Sequence, residues 1–342
     1  MPNAILTRAI DALASGRDLS AEETSEVLAE VMADRTSETQ IAGFLIALRV
    51  KGETEEELAG LARTMRALAT PVRAAREDLL DTAGTGGGRT TFNVSTTAAL
   101  IAAAAGCPVA KHGNRSATGL SGSADLLEAL GVRIDLSPAG VASCIEELGF
   151  GFMFAPLHHA ATRFVVPVRK ELGVRTIFNF LGPLTNPAGA TRQLIGVSDP
   201  SYLERMAAAL ARLGARRALV VSSEDGLDEL STSAPTHVVE LSDGQLSRHV
   251  VDAAELGLAR ADPAAVAGGS PAQNAATTRR IFDGERGAPR ELAALNAGAA
   301  IYAAGVASSL ERGVRAAERA IDSGEAARLL DALARRTEEL AG

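Results

Sequence analysis

Apolar positions in the first seventy residues recur at helical spacing, and three of the four repeats open on a start signal. Ser20 with Glu23, Ser37 with Gln40 and Thr54 with Glu57 are capping-box pairs. In each, the hydroxyl takes an orphan backbone N–H of the first turn, and the acid or amide reaches back to the cap. The pattern predicts helices near 4–15, 21–34, 38–51 and 55–69, the last stopped by Pro71. The third, IAGFLIALRV, is apolar on nearly every side. One small helical layer cannot bury such a helix, so a second subunit is expected to cover it. Residues 1–72 thus read as an α-helical dimerisation domain, with a helix buried within one subunit as the plain alternative.

From Leu79 the period changes. Short apolar or β-branched runs near 79–83, 108–111, 150–155, 193–198, 217–222 and 236–241 alternate with helical patterns near 95–105, 124–130, 138–148, 200–213 and 290–305. The tail after Gly313 is Ala/Arg/Glu-rich and reads as helix. Such alternation makes an α/β fold, with a mostly parallel central sheet covered by helices on both faces. The expected architecture is a small N-terminal all-α domain followed by a larger α/β domain over 76–342. Ligands of these sheets sit at the carboxyl ends of strands, and the polar motifs of this chain fall there.

The densest motif is DTAGTGGGRTTFNVST, then an Ala-rich helix, then CPVAKHGNRSATGLSGSAD, over residues 81–125. Gly84-Thr85-Gly86-Gly87-Gly88 cannot extend a strand, but its amides can approach an anion closely. Asn93, Ser95 and Thr96 then cap a helix whose free N–H groups and positive dipole end favour phosphate. The second half repeats the logic, with Ser121-Gly122-Ser123 capping a helix near Ala124. Two such starts, with Lys111 and Arg115 between them, suit a polyphosphorylated small molecule. Glycine loops shaped only for packing are the plain alternative.

Composition narrows the field. Of 342 residues, 46% are apolar and 22% charged, as in globular proteins and unlike disordered ones. Aromatics are 3% with no Trp, which disfavours base-stacking platforms. A net charge of −8 disfavours a nucleic-acid partner, and basic residues clustered in an acidic chain point to a small anionic ligand. Two cysteines, Cys107 and Cys144, form no disulfide framework or zinc site, so a reducing cytoplasm is expected. Arg8 and Asp11 interrupt the opening MPNAILTRAIDALASG where a signal peptide needs an apolar core. The apolar run 41–50 closes at Lys51-Gly52, too short for a membrane span.

Three later stretches carry candidate chemistry. Ala155-Pro156-Leu157-His158-His159 follows a strand, and a histidine there serves structure more often than catalysis. Within VRKELGVRTIFNFLGPLTNP, Arg169 is able to clamp a carboxylate bidentately, or to be a plain exposed helix charge. The Gly/Pro/Asn density of 179–187 predicts a loop of demanding shape. In Asp225-Gly226-Leu227-Asp228-Glu229, adjacent carboxylates beside a phosphate ligand suit Mg²⁺; alone, such a pair is a solvated turn.

Taken in order, GTGG…FNVST, KHGNRS…SGSAD, APxxH, VRKELGVRTIFNFLGPLTNP and DGLDE resemble the anthranilate phosphoribosyltransferases of tryptophan biosynthesis, from the helical start to about residue 305. The resemblance implies a helical homodimer domain, joined by part of 155–185, and a larger α/β domain. It implies transfer of the phosphoribosyl group of 5-phosphoribosyl 1-diphosphate to the anthranilate amine, with Mg²⁺, two ions per subunit. The ribosyl diphosphate would be met by Gly84, Gly87, Gly88, Thr91, Asn93, Val94, Ser95, Thr96 and Ser123. The loop of Lys111, His112, Gly113, Asn114, Arg115, Ser116, Ala117, Thr118 and Gly119 would join them. Anthranilate would be met by Gly84, Asn114, His159 and Arg169, with His112 and His159 lining its approach. Ser95, Asp228 and Glu229 would hold the metal, and Lys111 and Arg169 would assist catalysis, with no general base assigned. One departure stands out: the family pattern GTGGD has an acid where this chain has Gly88, and the loop to Thr91 is one residue shorter. A pyrimidine nucleoside phosphorylase and a non-catalytic nucleic-acid-binding paralogue are the rival readings.

Overall fold

The computed structural model describes residues 1–116 and 119–341. Four helices open the chain: α1 (Ala4–Ala14), α2 (Ala21–Met32), α3 (Glu38–Lys51) and α4 (Glu55–Leu68). Ser20 and Thr54 make complete capping boxes with Glu23 and Glu57, while Ser37 accepts from the Gln40 amide alone. Then come β1 (Leu80–Gly84), α5 (Val94–Ala104), β2 (Val109–Gly113), α6 (Ser123–Ala129), α7 (Pro138–Leu148) and β3 (Phe150–Phe154). Three short helices follow, α8 (Ala155–His158), α9 (Val166–Leu172) and α10 (Phe178–Leu184). The remaining elements are β4 (Arg192–Gly196), α11 (Leu203–Arg212), β5 (Arg217–Ser223), β6 (Thr236–Ser242), β7 (Gln245–Val251), α12 (Pro271–Phe282), α13 (Ala288–Ala303), α14 (Leu310–Asp322) and α15 (Glu325–Ala341).

The seven strands run in the order β3-β2-β1-β4-β5-β6-β7, with β3 to β5 parallel and β6 and β7 added antiparallel. One apolar cluster fills the side of the sheet under α5, α7 and α12 to α15. The other joins α1 to α4 with Val165, Val168, Phe180 and Leu184, and continues under α11 to Ile195 and Val220 of the sheet. The helical layer is therefore seated on one sheet face through α9, α10 and α11. Where α2 and α4 cross, a Cβ on Gly60 would stand 2.2 Å from the Ala21 carbonyl oxygen, so a glycine is required there.

Three features depart from the sequence-based expectation. The 179–187 segment is mostly helix α10, with Pro183 inside it supplying no N–H to the helical ladder. β7 was not expected: all but one of its residues are exposed, so it lacks the apolar alternation that marks a strand. α12 was also missed, although Ser270 and Gln273 form a complete capping box before it.

Candidate active site

The parallel strands β3, β2, β1, β4 and β5 all end on one edge of the sheet. Strand order reverses between β1 and β4, the crevice where open sheets receive ligands. The 225–229 turn after β5 folds back into this crevice. A Cβ on Gly196, at the end of β4, would lie 1.6 Å from the Asp228 carbonyl oxygen, and one on Gly84, at the end of β1, 3.0 Å from Asp228 Oδ2. Two glycines at paired strand ends thus allow the acidic turn to lie flat on the sheet edge. Gly196 has no signal in the sequence beyond being a glycine at a strand end.

The glycine turn closes over the same carboxylate. Gly86 N–H donates to Asp228 Oδ2 at 3.0 Å, and Arg89 N–H donates to the Gly226 carbonyl at 2.8 Å. The Arg89 guanidinium pairs with Asp225 at 2.9 Å, and Arg175 donates to the Gly86 carbonyl at 2.9 Å and to the Ser198 hydroxyl at 2.8 Å. Gly86 and Gly87 have φ of 69° and 79°, a region in which only glycine is unstrained. Arg89, Arg175 and Ser198 were not among the expected residues, because each acts by holding the turn. A Cβ at Gly88 would stand 2.7 Å from both Asp228 Oδ1 and the Gly226 carbonyl. Gly88→Asp is therefore expected to spread the turn and lower kcat/KM by about 10²-fold, the scale of one lost oxyanion contact. Steady-state kinetics with both substrates varied is the check.

Asp228 and Glu229 are half-buried. Burial raises the Asp228 pKa; burial and then the Asp228 charge push that of Glu229 up to about 8, against the opposing pull of Lys111 and a Ser95 backbone hydrogen bond. Among the described residues no cluster of three or more His, Cys, Asp or Glu side chains could hold a metal alone. Two carboxylates beside a half-buried serine fit Mg²⁺, a hard cation that takes few protein ligands and completes its shell with substrate oxygens and water.

Lys111 is turned into the protein. Its side chain is 1% exposed, and its ammonium donates to the Thr82 carbonyl and, at 3.1 Å, to the Thr82 hydroxyl. Burial lowers its pKa, while Asp81 and Glu229 oppose that shift. It stands as an internal cation behind the acidic turn, within the charges of Asp81 and Glu229. Arg115 is likewise engaged: it pairs with Asp125 at 2.8 Å and with Glu128. The expected second oxyanion site at the start of α6 is taken from within, since Asp125 accepts the Gly122 and Ser116 amides. Ser123 binds Asn114 rather than capping, accepting its N–H and donating to its carbonyl, both at 3.1 Å. Asn93 stands at the N-cap of α5 without a capping bond; it donates to the Ser121 carbonyl and accepts from Ser121 and Asn274, which ties the two loops together.

Of the other expected residues, Gly84, Gly87, Asn114 and Gly119 are exposed, and Thr91, Ser95, Gly113 and Ser116 are half-buried. Val94 and Thr96 are buried, so any part they play in ligand binding comes through the backbone, and the Thr96 hydroxyl has no partner among the described residues. Ala117 and Thr118 lie outside the described residues. Arg169, on α9, is half-buried over the Phe178 ring at 5.4 Å, and burial alone lowers its pKa. Among the described residues it has no acidic partner, which leaves its fork open for a carboxylate.

The RTIFNFLGPLTNP segment braces the far side of the crevice. Asn186 Nδ2 donates to Asp81 and to the Ala110 carbonyl, both at 2.8 Å, so it bridges β1 and β2. Asp81 also accepts the His112 amide at 3.0 Å, and Gly182 presents its carbonyl 3.2 Å from His112 Nδ1. The His112 and His159 rings lie 5.0 Å apart. Burial, then the neighbouring imidazole, lowers His112 to about 3; burial, then His158, lowers His159 to about 4. Both are neutral when folded and ordinary when unfolded, so their contribution to stability is complete above pH 6.5 and is lost as pH falls toward 4. At pH 5 the loss is about 2 kcal/mol for each ring. His159→Asn should flatten the fall of Tm between pH 7 and pH 5, measured by calorimetry.

Known proteins share this arrangement. The helical bundle domain of the glycosyl transferase family matches residues 7–69, and the family's a/b domain matches residues 76–327. The anthranilate phosphoribosyltransferase of Rubrobacter xylanophilus is 50% identical over 340 residues, 99% of each chain. That of Moorella thermoacetica is 47% identical over 330 residues, 96% of this chain and 97% of its own. The crystal structure of the Thermus thermophilus enzyme superposes with a TM-score of 0.92 at 49% identity, covering 96% of this chain and 99% of that one. The Saccharomyces cerevisiae enzyme, solved in complex with 5-phosphoribosyl 1-diphosphate and Mg, gives 0.89 at 27% identity over 99% of both chains. With a helical bundle seated on an α/β domain, an acidic turn in the strand crevice and about half its residues shared end to end with the bacterial enzymes, the chain belongs to the anthranilate phosphoribosyltransferase family.

Proposed function

We propose that this chain transfers the 5-phosphoribosyl group of 5-phosphoribosyl 1-diphosphate to the amine of anthranilate. The products are N-(5-phosphoribosyl)anthranilate and diphosphate, and the reaction belongs to tryptophan synthesis. The observation that carries this reading is the crevice between β1 and β4, where a glycine turn, the start of α5 and Asp228-Glu229 converge. The turn amides and the α5 start would take the diphosphate, with Gly84, Gly87, Gly88, Asn93, Ser95 and the Lys111–Gly119 loop around it. Magnesium, two ions per subunit held by Asp228, Glu229 and Ser95, would neutralise charge on the departing diphosphate. Arg169 clamps the anthranilate carboxylate, and Asn114 and His159 orient the ring, so that the already unprotonated amine faces the sugar carbon.

The test follows diphosphate release and the loss of anthranilate fluorescence together. Matched loss that requires Mg²⁺ supports the transferase, and phosphate-dependent cleavage of thymidine or uridine in its place would refute it. Arg169→Ala is expected to raise the anthranilate KM by 10²-fold or more, on the order of 3 kcal/mol for a charge-assisted bidentate pair. The KM for the ribosyl diphosphate should change little, and equal effects on both would refute the clamp.

Two further parts of the reading concern assembly and place. The α1–α3 face has an apolar hollow lined by Leu13, Ala14, Ile46, Ala47 and Val50, and Val50 is 81% exposed. A second copy covering this face makes the protein a homodimer through its helical domain, and sedimentation velocity reads that state directly. Cys107 and Cys144 are free and buried, consistent with work in a reducing cytoplasm. Among the described residues no helix is long and apolar enough to cross a membrane.

A further inference from the structure

His112, His158 and His159 are all buried beside the carboxyl ends of β2 and β3. His112 Nδ1 is 3.2 Å from the Gly182 carbonyl and His158 Nδ1 is 2.9 Å from that of Thr70. A carbonyl oxygen only accepts, so Nδ1 of His112 carries the proton and its Nε2 holds a free lone pair. That Nε2 is shielded from water and has no partner among the described residues. An acceptor in that state carries a desolvation cost that nothing in the protein offsets. Burial first, then His159, His158 and Lys111, keep the imidazole unprotonated against the opposing hydrogen bond to Gly182. His112 also sits two residues before Asn114, on the strand end that would receive anthranilate.

We propose that His112 Nε2 is the base that accepts the proton released by the attacking amine, an assignment that rests on the transferase reading above. The amine lone pair forms the bond to C1 of the sugar, and the C1–O bond breaks with its electron pair leaving on diphosphate. The N–H electron pair returns to nitrogen as the proton passes to Nε2, giving an imidazolium and the neutral secondary amine. A weakly basic imidazole suffices, because an aryl ammonium is a strong acid. The rival acceptor, the ortho carboxylate of anthranilate, is engaged by Arg169.

His112→Asn separates holding from proton transfer. Its amide nitrogen can donate to the Gly182 carbonyl as Nδ1 does, but it places no acceptor at the Nε2 position. Measured in single turnovers, so that product release cannot mask chemistry, the rate at saturating substrates should fall about 10²-fold. The Kd of each substrate should stay near its wild-type value. The unaltered enzyme should turn over more slowly in deuterium oxide, and the variant should lose that isotope effect. An Asn variant as fast as the wild type would overturn the assignment, as would a defect confined to anthranilate affinity. If the variant no longer binds the ribosyl diphosphate with Mg²⁺, the isotope effect on the wild-type enzyme decides, and its absence overturns the assignment. No turnover by the unaltered protein refutes the transferase reading itself, whereas equal turnover by wild type and variant removes His112 alone.

Discussion

Asp228→Asn should lower kcat/KM by about 10³-fold, on the order of 4 kcal/mol of transition-state stabilisation, and should not lower Tm. The two outcomes separate because the carboxylate does two jobs. As an acceptor it holds the Gly86 amide at 3.0 Å, a task an Asn carbonyl oxygen can perform. As a charge it would hold the metal, which a neutral amide cannot do well. Burial already raises the pKa of Asp228, so removing the charge relieves a cost in the metal-free protein. Calorimetry without metal and steady-state kinetics across a Mg²⁺ series check both halves. Activity within tenfold of wild type would remove Asp228 from the metal site. A large fall in Tm would mean that its main part is to anchor the glycine turn.

Lys111→Met is expected to cost about 3–5 kcal/mol of stability, the range for leaving one side of a buried charge network unpaired. Methionine is close to lysine in length and fits the same channel, so the loss is electrostatic rather than a cavity effect. Without the ammonium, the Thr82 carbonyl and hydroxyl lose their donor, and Asp81 and Glu229 lose the positive charge they share. Urea unfolding read by circular dichroism should show a lower midpoint with an unchanged slope. A stability change below about 1 kcal/mol would be that of an exposed ion pair and would refute the buried role.

Much of the architecture was legible in the chain because its signals are local. Capping-box pairs before α2, α3 and α4, apolar runs at β1 to β6 and glycine turns after β1 and β2 act within a few residues, and short-range sterics and hydrogen bonding enforce them. The family motifs were equally legible as strings. The misses have physical causes as well. β7 exists because β6 offers it a free edge, and its own residues need no apolar face. α10 forms where a Gly/Pro-rich string suggested a loop, because Phe180, Leu181 and Leu184 are buried in the core beneath α4.

Residue type alone determined which side chains could bind phosphate, metal or carboxylate, and it placed most of them at strand ends. Direction was decided only by the tertiary structure. Lys111 and Arg115 read identically in the sequence as cations of one loop, yet one is driven inward by Thr82, Asp81 and Glu229, and the other is drawn sideways by Asp125 and Glu128. Gly88 and Gly196 read as ordinary glycines until the 225–229 turn lies against them. His112 reads as one more polar residue until the Gly182 carbonyl, seventy residues away in sequence, selects its tautomer. In each case the deciding partner is distant along the chain, and a contact made by folding leaves no periodic trace in the residues that make it.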